Sequence, residues 1–144
     1  SGRAQDTIVL SSGETIEPAP LEEELVSSPL IEQVMLVGQD QRQLAALVVP
    51  RLEAMLAWGA EQGLSLPADL GGTPGDQDLR RLLRGELNRP LSVRGGARSE
   101  ERVMGVVLVA PFTIENGLLT QTLKQRRDRI SGRDRESIQA LYGC

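Results

Sequence analysis

Residues 31–49 read IEQVMLVGQDQRQLAALVV, two apolar runs that flank a short polar segment. The runs, Ile31 to Val37 and Leu44 to Val49, have the length and the Val, Ile and Leu content that are typical of β-strands. The segment between them, residues 39–43, carries only Gln, Asp and Arg and predicts a turn. The sequence therefore predicts an antiparallel pair of strands at the centre of a β-sheet.

The elements on either side of this pair complete the predicted fold. Residues 7–17 combine β-branched residues with a Ser12-Gly13 turn, which predicts a two-stranded ribbon. Val106 to Val109 predicts a third core strand. Helices are predicted from Pro18 to Ser27, over about 51–62 and 76–89, and over 134–142. The fold class is thus α+β: a small three-stranded sheet plus an N-terminal two-stranded ribbon, covered by helices.

The composition argues against several classes of function. A chain of 144 residues, 40% of them hydrophobic, has the size of one domain and can close one core. A single Phe, Trp and Tyr and a net charge of −4 leave little to bind bases or phosphates, so no nucleic-acid partner is expected. The longest apolar run, Val103 to Phe112, is about half of the ~20 residues that a bilayer crossing requires. We therefore expect a cytoplasmic chain without a transmembrane segment, with any membrane association arising elsewhere in a longer protein.

Few side chains are available for chemistry. Histidine is absent, which removes imidazole bases and catalytic triads. The single cysteine, Cys144, has neither a disulfide partner nor a multi-ligand cluster, so no metal site is expected. Glu22, Glu23 and Glu24 fall in the first turn of a predicted helix and are interpreted as a solvated helix start. Any catalysis would therefore depend on Lys, Arg, Asp or Glu.

Lys124 is the only lysine among the 16 basic residues. A lysine carries a compact charge on a flexible stem and can reach between a phosphate and a carboxylate, whereas the planar guanidinium needs a wider site. Thr122 to Gln125 fits a capping box that would place Lys124 in the first turn of a helix, but the segment equally fits a chain that is extended up to Arg126. Lys124 is either a functional amine or an ordinary solvated residue in an Arg-rich chain.

Two motifs near opposite ends of the chain resemble one enzyme family. Residues 2–14, GRAQDTIVLSSGE, followed by Ile16-Glu17-Pro18 and Leu21-Glu22, resemble the hinge motif that opens the C-terminal domain of acyl-CoA synthetases and related adenylate-forming enzymes. Residues 115–127, ENGLLTQTLKQRR, are similar to the last motif of that family, which carries its catalytic lysine. The chain thus resembles the C-terminal lid domain of a long-chain fatty-acid acyl-CoA or acyl-carrier-protein synthetase.

The resemblance implies roles for individual residues. Lys124 would be the catalytic residue, bridging phosphate and carboxylate oxygens during adenylation, and Arg3 would contact the nucleotide. The hinge, within residues 3–6, would fall on Gln5 and Asp6. The family usually has Asp or Lys at the first of these positions, so a charge-based account of the hinge does not transfer. The loop at the ribbon tip would line the channel for the thiol, through Leu10, Ser11, Ser12 and Gly13.

The enzyme that the resemblance implies works in two steps. ATP, with Mg²⁺, and a long-chain fatty acid give acyl-adenylate and pyrophosphate, and the acyl group then passes to a pantetheine thiol of CoA or acyl carrier protein. The nucleotide and Mg²⁺ would be bound mainly by an N-terminal adenylation domain, so residues 1–144 would form a single lid domain that is inactive alone. Gln121, where many relatives have proline, suggests the acyl-carrier-protein branch of photosynthetic organisms. The choice between CoA and carrier protein stays open.

Two further points accompany the resemblance. Residues from about 51 to 102 exceed what a minimal lid needs and are interpreted as a helical insertion. An alternative function, from a different class, is a non-catalytic module whose basic C-terminal segment, Lys124 to Arg135, binds an acidic protein.

Overall fold

The structure is a computed structural model that describes residues 7–68, 70, 76–93 and 96–143. It begins with the predicted ribbon, in which β1 (Ile8–Val9) pairs antiparallel with β2 (Thr15–Ile16). Gly13, in the connecting turn, has a φ of 93°, a left-handed conformation that glycine adopts without a steric penalty. The short ribbon confirms the expectation from the β-branched residues and the Ser-Gly pair.

The main sheet has three strands, β3 (Ile31–Val37), β4 (Leu44–Pro50) and β5 (Val103–Leu108). β3 and β4 pair antiparallel, as predicted, and β5 pairs parallel with the other side of β4, so the order is β3-β4-β5. The prediction that the first two strands together form the centre of the sheet is therefore wrong for β3, which is an edge strand. β4 is buried along its whole length because helices cover both faces of the sheet.

The helices are α1 (Pro18–Leu25), α2 (Leu52–Glu61), α3 (Gln77–Val93), α4 (Arg127–Arg133) and α5 (Arg135–Leu141). The last of these matches the predicted closing helix, whereas α4 was not predicted. A 3-10 turn at Ser99–Glu101 precedes β5. Within the described ranges, none of the helices combines the length and the apolar character that crossing a membrane requires.

The segment interpreted as a helical insertion connects β4 to the parallel strand β5. Parallel neighbours cannot be joined by a tight turn, so the chain must cross over the sheet between them. α3 supplies most of the cover, because Leu79, Leu83, Leu87 and Leu91 recur every four residues and are all buried. The helix ends four residues later than predicted and continues through Pro90, since Leu91 still falls on the buried face.

Two apolar cores lie on opposite faces of the sheet. On one face, α1, α2 and α3 pack against alternate residues of the strands, such as Leu36 and Val48. On the other face, α4 and α5 pack against Met35 and Leu47 through residues such as Ile130. In this three-layer arrangement one edge of β3 has no strand partner, and the candidate site lies along that edge.

Candidate active-site loop and its supports

The connection from β5 to α4 passes through a tight turn at Asn116-Gly117. The Asn116 side-chain oxygen accepts hydrogen bonds from the backbone N–H of Thr113 at 3.0 Å and of Leu118 at 3.1 Å. Its amide nitrogen donates to the carbonyl oxygen of Pro111 at 3.0 Å. Because the side chain satisfies these backbone groups locally, the turn has a defined shape and leads the chain into the next loop in a fixed direction.

Lys124 lies in that next loop, residues 119–126. The loop is closed at its base by an antiparallel bridge between Leu119 and Gln125. The backbone N–H of Thr120 donates to the carbonyl oxygen of Lys124 at 2.8 Å, and the backbone N–H of Lys124 donates to Oγ1 of Thr120 at 3.0 Å. The backbone on both sides of the lysine is therefore held by hydrogen bonds within the loop.

The helix after this loop begins only at Arg127. The prediction that Thr122 to Gln125 forms a capping box is therefore wrong, because Lys124 precedes the helix and its N–H is bound by Thr120. The alternative, a chain that is extended up to Arg126, holds only in part: the segment is not helical, but residues 121–122 form a turn and Leu123 has a positive φ. Leu123 has a φ of 66°, a left-handed conformation that costs a branched residue roughly 1–2 kcal/mol. The strained residue stands directly before Lys124.

The Lys124 side chain is exposed and borders an open groove of about 1190 Å³. In the described part of the chain, its ammonium has no hydrogen-bond or ion-pair partner. The same groove is also lined by Glu17 and Glu23, from α1 and its N-terminal flank, and by Glu32 from β3. The lysine charge is thus available to a ligand.

Arg127, three residues beyond the lysine, is held by Glu22 of α1. Its Nη2 donates to Glu22 Oε1 at 2.6 Å and its Nη1 donates to Oε2 at 2.8 Å. Glu22 Oε2 also accepts the backbone N–H of Leu36, on the free edge of β3, at 2.8 Å. Glu22 is only 7% exposed, so its interpretation as part of a solvated helix start is wrong. Leu21 and Leu25 are buried on the inner face of α1, and Glu22 is buried on that face with them.

Gln125, the residue after the lysine, provides a second support. Its Nε2 donates to the carbonyl oxygen of Val34 at 2.8 Å, again on the free edge of β3. An edge strand has N–H and C=O groups without strand partners. Here the side chains of Glu22 and Gln125 form hydrogen bonds with two of these groups. The loop with Lys124 is therefore fastened to β3.

The ribbon tip, proposed to line a thiol channel, rests on the turn between β3 and β4. Leu10 is buried, whereas Ser11, Ser12 and Gly13 are exposed. The backbone N–H of Ser11 donates to the carbonyl oxygen of Gln41 at 2.9 Å, and that of Asp40 donates to Val9 at 2.9 Å. Backbone hydrogen bonds thus attach the ribbon to the turn between β3 and β4.

An arginine far along the chain also holds the ribbon. Arg98 donates from Nη2 to the carbonyl oxygen of Thr15 at 2.9 Å and pairs through Nη1 with Glu14 Oε2 at 3.2 Å. This contact joins the crossover segment to the ribbon.

The two predicted functional loops occupy different positions. None of the four ribbon-tip residues borders the groove of Lys124. The loop with Lys124 attaches to the middle of β3, and the ribbon tip attaches to the turn that follows β3. The other predicted site residues, Arg3, Gln5 and Asp6, lie outside the described residues.

Comparison with protein families matches residues 5–62 to the C-terminal domain of AMP-binding enzymes. Residues 5–62 therefore belong to the AMP-binding enzyme C-terminal domain family. The matched part includes the ribbon, α1, β3, β4 and α2.

Two plant relatives are similar to nearly the whole chain. A probable chloroplastic acyl-activating enzyme of Arabidopsis thaliana is 39% identical over 98% of this chain. A chloroplastic long-chain-fatty-acid–[acyl-carrier-protein] ligase of the same plant is 37% identical, also over 98% of this chain. The chain spans only 19% and 17% of the length of these two relatives.

A solved structure supports the fold over nearly the whole chain. The adenylation domain of a carboxylic acid reductase from Segniliparus rugosus, in complex with AMP and a co-purified carboxylic acid, superimposes with a TM-score of 0.77. It is 30% identical, and the match covers 97% of this chain and 20% of that one.

Sequence reasoning missed the supports of the domain's lysine loop. Glu22 carried one usable signal, since it lies beside Leu21 on a helix whose apolar positions define the buried face. Gln125 and Arg127 carried none, because their partners, Val34 and Glu22, are 91 and 105 positions away in the sequence.

Proposed function

We propose that this domain is the mobile lid of a ligase that activates a long-chain fatty acid. In the first step a fatty-acid carboxylate oxygen attacks the α-phosphorus of ATP, which forms acyl-adenylate and expels pyrophosphate. In the second step a pantetheine thiol loses its proton and attacks the acyl carbon, which forms the thioester and releases AMP. The name of the second relative supports this class of substrate, and the name of the first supports activation of an acyl group.

The observation that carries the proposal is the position of Lys124. Its ammonium is exposed and has no ion-pair partner among the described residues, while its backbone is held by Thr120 and Gln125 supports the loop on β3. A fixed backbone with a free cationic tip suits a residue that must neutralise charge developing between a carboxylate and a phosphate. We assign Lys124 to adenylation.

The separation of the two functional loops supports a lid that turns between steps. Lys124 and the exposed tip, Ser11 to Gly13, rest on the same strand and its following turn but do not share a groove. A rigid body with two such loops can present one and withdraw the other by rotating about a hinge. We place that hinge at Gln5 and Asp6, and the nucleotide contact at Arg3.

ATP, Mg²⁺ and the acyl chain would bind mainly to an N-terminal adenylation domain, this domain's partner. Among the described residues, no three His, Cys, Asp or Glu side chains form a group that could hold a metal. The acceptor is CoA or the phosphopantetheine of an acyl carrier protein, and the relative named as a carrier-protein ligase favours the latter. The cytoplasmic location stays a prediction, since both relatives are named as chloroplastic.

The alternative, a basic module that binds an acidic protein, receives less support. Arg127 forms an ion pair with Glu22, and Arg133 donates to the carbonyl oxygens of Ala110 at 2.7 Å and Pro111 at 3.0 Å. These two guanidinium groups hold the fold together, which leaves a smaller free cationic surface than the sequence implies.

The proposal is tested with Lys124→Ala in a full-length ligase that contains this domain. Pyrophosphate release from ATP and a long-chain fatty acid reports the first step, and thioester formation from supplied acyl-adenylate reports the second. Slow pyrophosphate release with near-normal thioester formation is expected. Equal pyrophosphate rates for the variant and the wild type would remove the catalytic role.

A further inference from the structure

The loop that carries Lys124 is fastened to the edge of β3 at two points that lie after the lysine. Gln125 binds the carbonyl oxygen of Val34, and Arg127 reaches the strand through Glu22, which accepts the N–H of Leu36. Val34 and Leu36 are two positions apart on the same edge. Both supports therefore act on a short length of backbone, from one to three residues beyond the lysine.

The second support has the geometry of a positioning device. Arg127 and Glu22 meet through two parallel N–H···O contacts, at 2.6 and 2.8 Å, and the side chains are 19% and 9% exposed. A planar guanidinium and a carboxylate fit each other in one orientation, so this pair restricts rotation as well as distance. A buried ion pair adds little net stability compared with apolar residues, because desolvation opposes the attraction. Its main effect is to define where α4 begins.

The start of α4 in turn determines where Lys124 stands. The backbone N–H of Arg126 donates to the carbonyl oxygen of Leu118 at 2.9 Å, so the loop closes immediately before Arg127. Inside the closed loop, the strained Leu123 and the Thr120 contacts leave the lysine backbone little freedom. A displacement of Arg127 would thus be passed directly to the lysine.

We propose that Glu22 and Arg127 are positioning residues for Lys124 in the adenylation step. They do not touch the reacting groups; they hold the base of the loop in register with β3. This inference rests on the proposed function, in which Lys124 acts during adenylation only. It adds that Glu22 of α1, about a hundred residues upstream in the sequence, contributes to the rate of that step by holding the loop in place.

The test uses Arg127→Lys and Glu22→Gln in the full-length ligase. Arg127→Lys keeps the charge opposite Glu22 but loses the two-pronged contact. Glu22→Gln keeps an oxygen that can accept the N–H of Leu36, so the edge of β3 stays satisfied. We expect pyrophosphate release to slow roughly 10- to 100-fold in each variant, the order of loss from a misplacement of about 1 Å. Thioester formation from supplied acyl-adenylate should change little.

A double-variant comparison separates positioning from general stability. If Arg127 acts through the lysine, then Arg127→Lys should slow pyrophosphate release in the wild-type background and have no further effect in the Lys124→Ala background. A merely structural contact would slow both half-reactions, and its effect would multiply with that of Lys124→Ala.

A matched control comes from an exposed ion pair on α3. Arg81 Nη2 pairs with Asp78 Oδ1 at 2.7 Å, and the side chains are 62% and 64% exposed. Arg81→Lys makes the same chemical change at a solvated pair and should leave both half-reactions at wild-type rates.

The outcomes distinguish this inference from the proposed function. A normal pyrophosphate rate for Lys124→Ala would overturn the proposed function, and the inference with it. A slow Lys124→Ala together with wild-type rates for Arg127→Lys and Glu22→Gln would overturn the inference alone. Multiplying effects in the double variant would also overturn it.

Discussion

The Tyr142 hydroxyl donates a hydrogen bond to the carbonyl oxygen of Gln43 at 2.8 Å, which joins the end of α5 to the start of β4 across 99 positions of sequence. Burial raises the pKa of Tyr142 above its ordinary value of 10.0 because the phenolate would lose water contacts. The neutral hydroxyl is thus the form that suits the folded state.

This relationship predicts a stability change in alkali. The pKa is raised in the folded state, so the stabilisation is complete below pH 10.0, and it decreases as the pH rises from there towards the folded-state pKa. Tyr142 is the single tyrosine, so the near-ultraviolet absorbance of phenolate reports it alone. In the 144-residue chain the absorbance midpoint should lie at a higher pH without urea than in urea. Identical midpoints would show that the side chain is not buried.

Replacement of Lys124 tests how specific its charge is. Lys124→Ala should slow pyrophosphate release by about 10²- to 10³-fold, the usual loss for one electrostatic contact to developing charge. Lys124→Arg should restore only part of the rate, since a planar fork cannot occupy the same point between phosphate and carboxylate oxygens. Complete restoration by arginine would mean that any nearby cation suffices. The free energy of unfolding, measured with urea, should lie within about 0.5 kcal/mol of the wild-type value for both variants, because the side chain is exposed.

The hinge assignment leads to a prediction for Gln5. Gln5→Pro in the full-length ligase should hold the lid in one orientation, because proline restricts φ to about −65° and removes torsional freedom. One half-reaction should then slow far more than the other. Gln5→Ala serves as the control, since it changes the side chain and leaves the backbone free. Wild-type rates of both half-reactions in the proline variant would place the pivot elsewhere.

The 144-residue chain alone should neither bind ATP measurably nor show ligase activity. It lacks a Gly-rich phosphate-binding sequence that ends in Lys-Ser or Lys-Thr, so it has no phosphate-binding loop of its own. Calorimetric titration with ATP and Mg²⁺ checks this, with the full-length ligase as the positive control. Micromolar affinity of the isolated chain would contradict its assignment as a lid.

The sequence by itself determined most of the local elements and singled out one candidate side chain. The apolar runs at 31–37 and 44–49 formed strands because β-branched and aliphatic residues at that length pack best in a sheet. The Ser-Gly pair defined the ribbon turn, since only a residue without Cβ adopts φ of 93° freely. The single lysine stood out from composition alone.

Only the tertiary structure decided how these parts support one another. The place of β5 beside β4, and hence the edge position of β3, depends on a crossover whose outcome no local pattern encodes. Glu22 reads as a solvated charge until Arg127, 105 positions away, is brought against it. Burial of a charge is a property of its neighbours, because desolvation and pairing both depend on contacts across the fold. The sequence therefore singled out Lys124 as a candidate, and the packing of α1 and α4 on β3 determined how its loop is held.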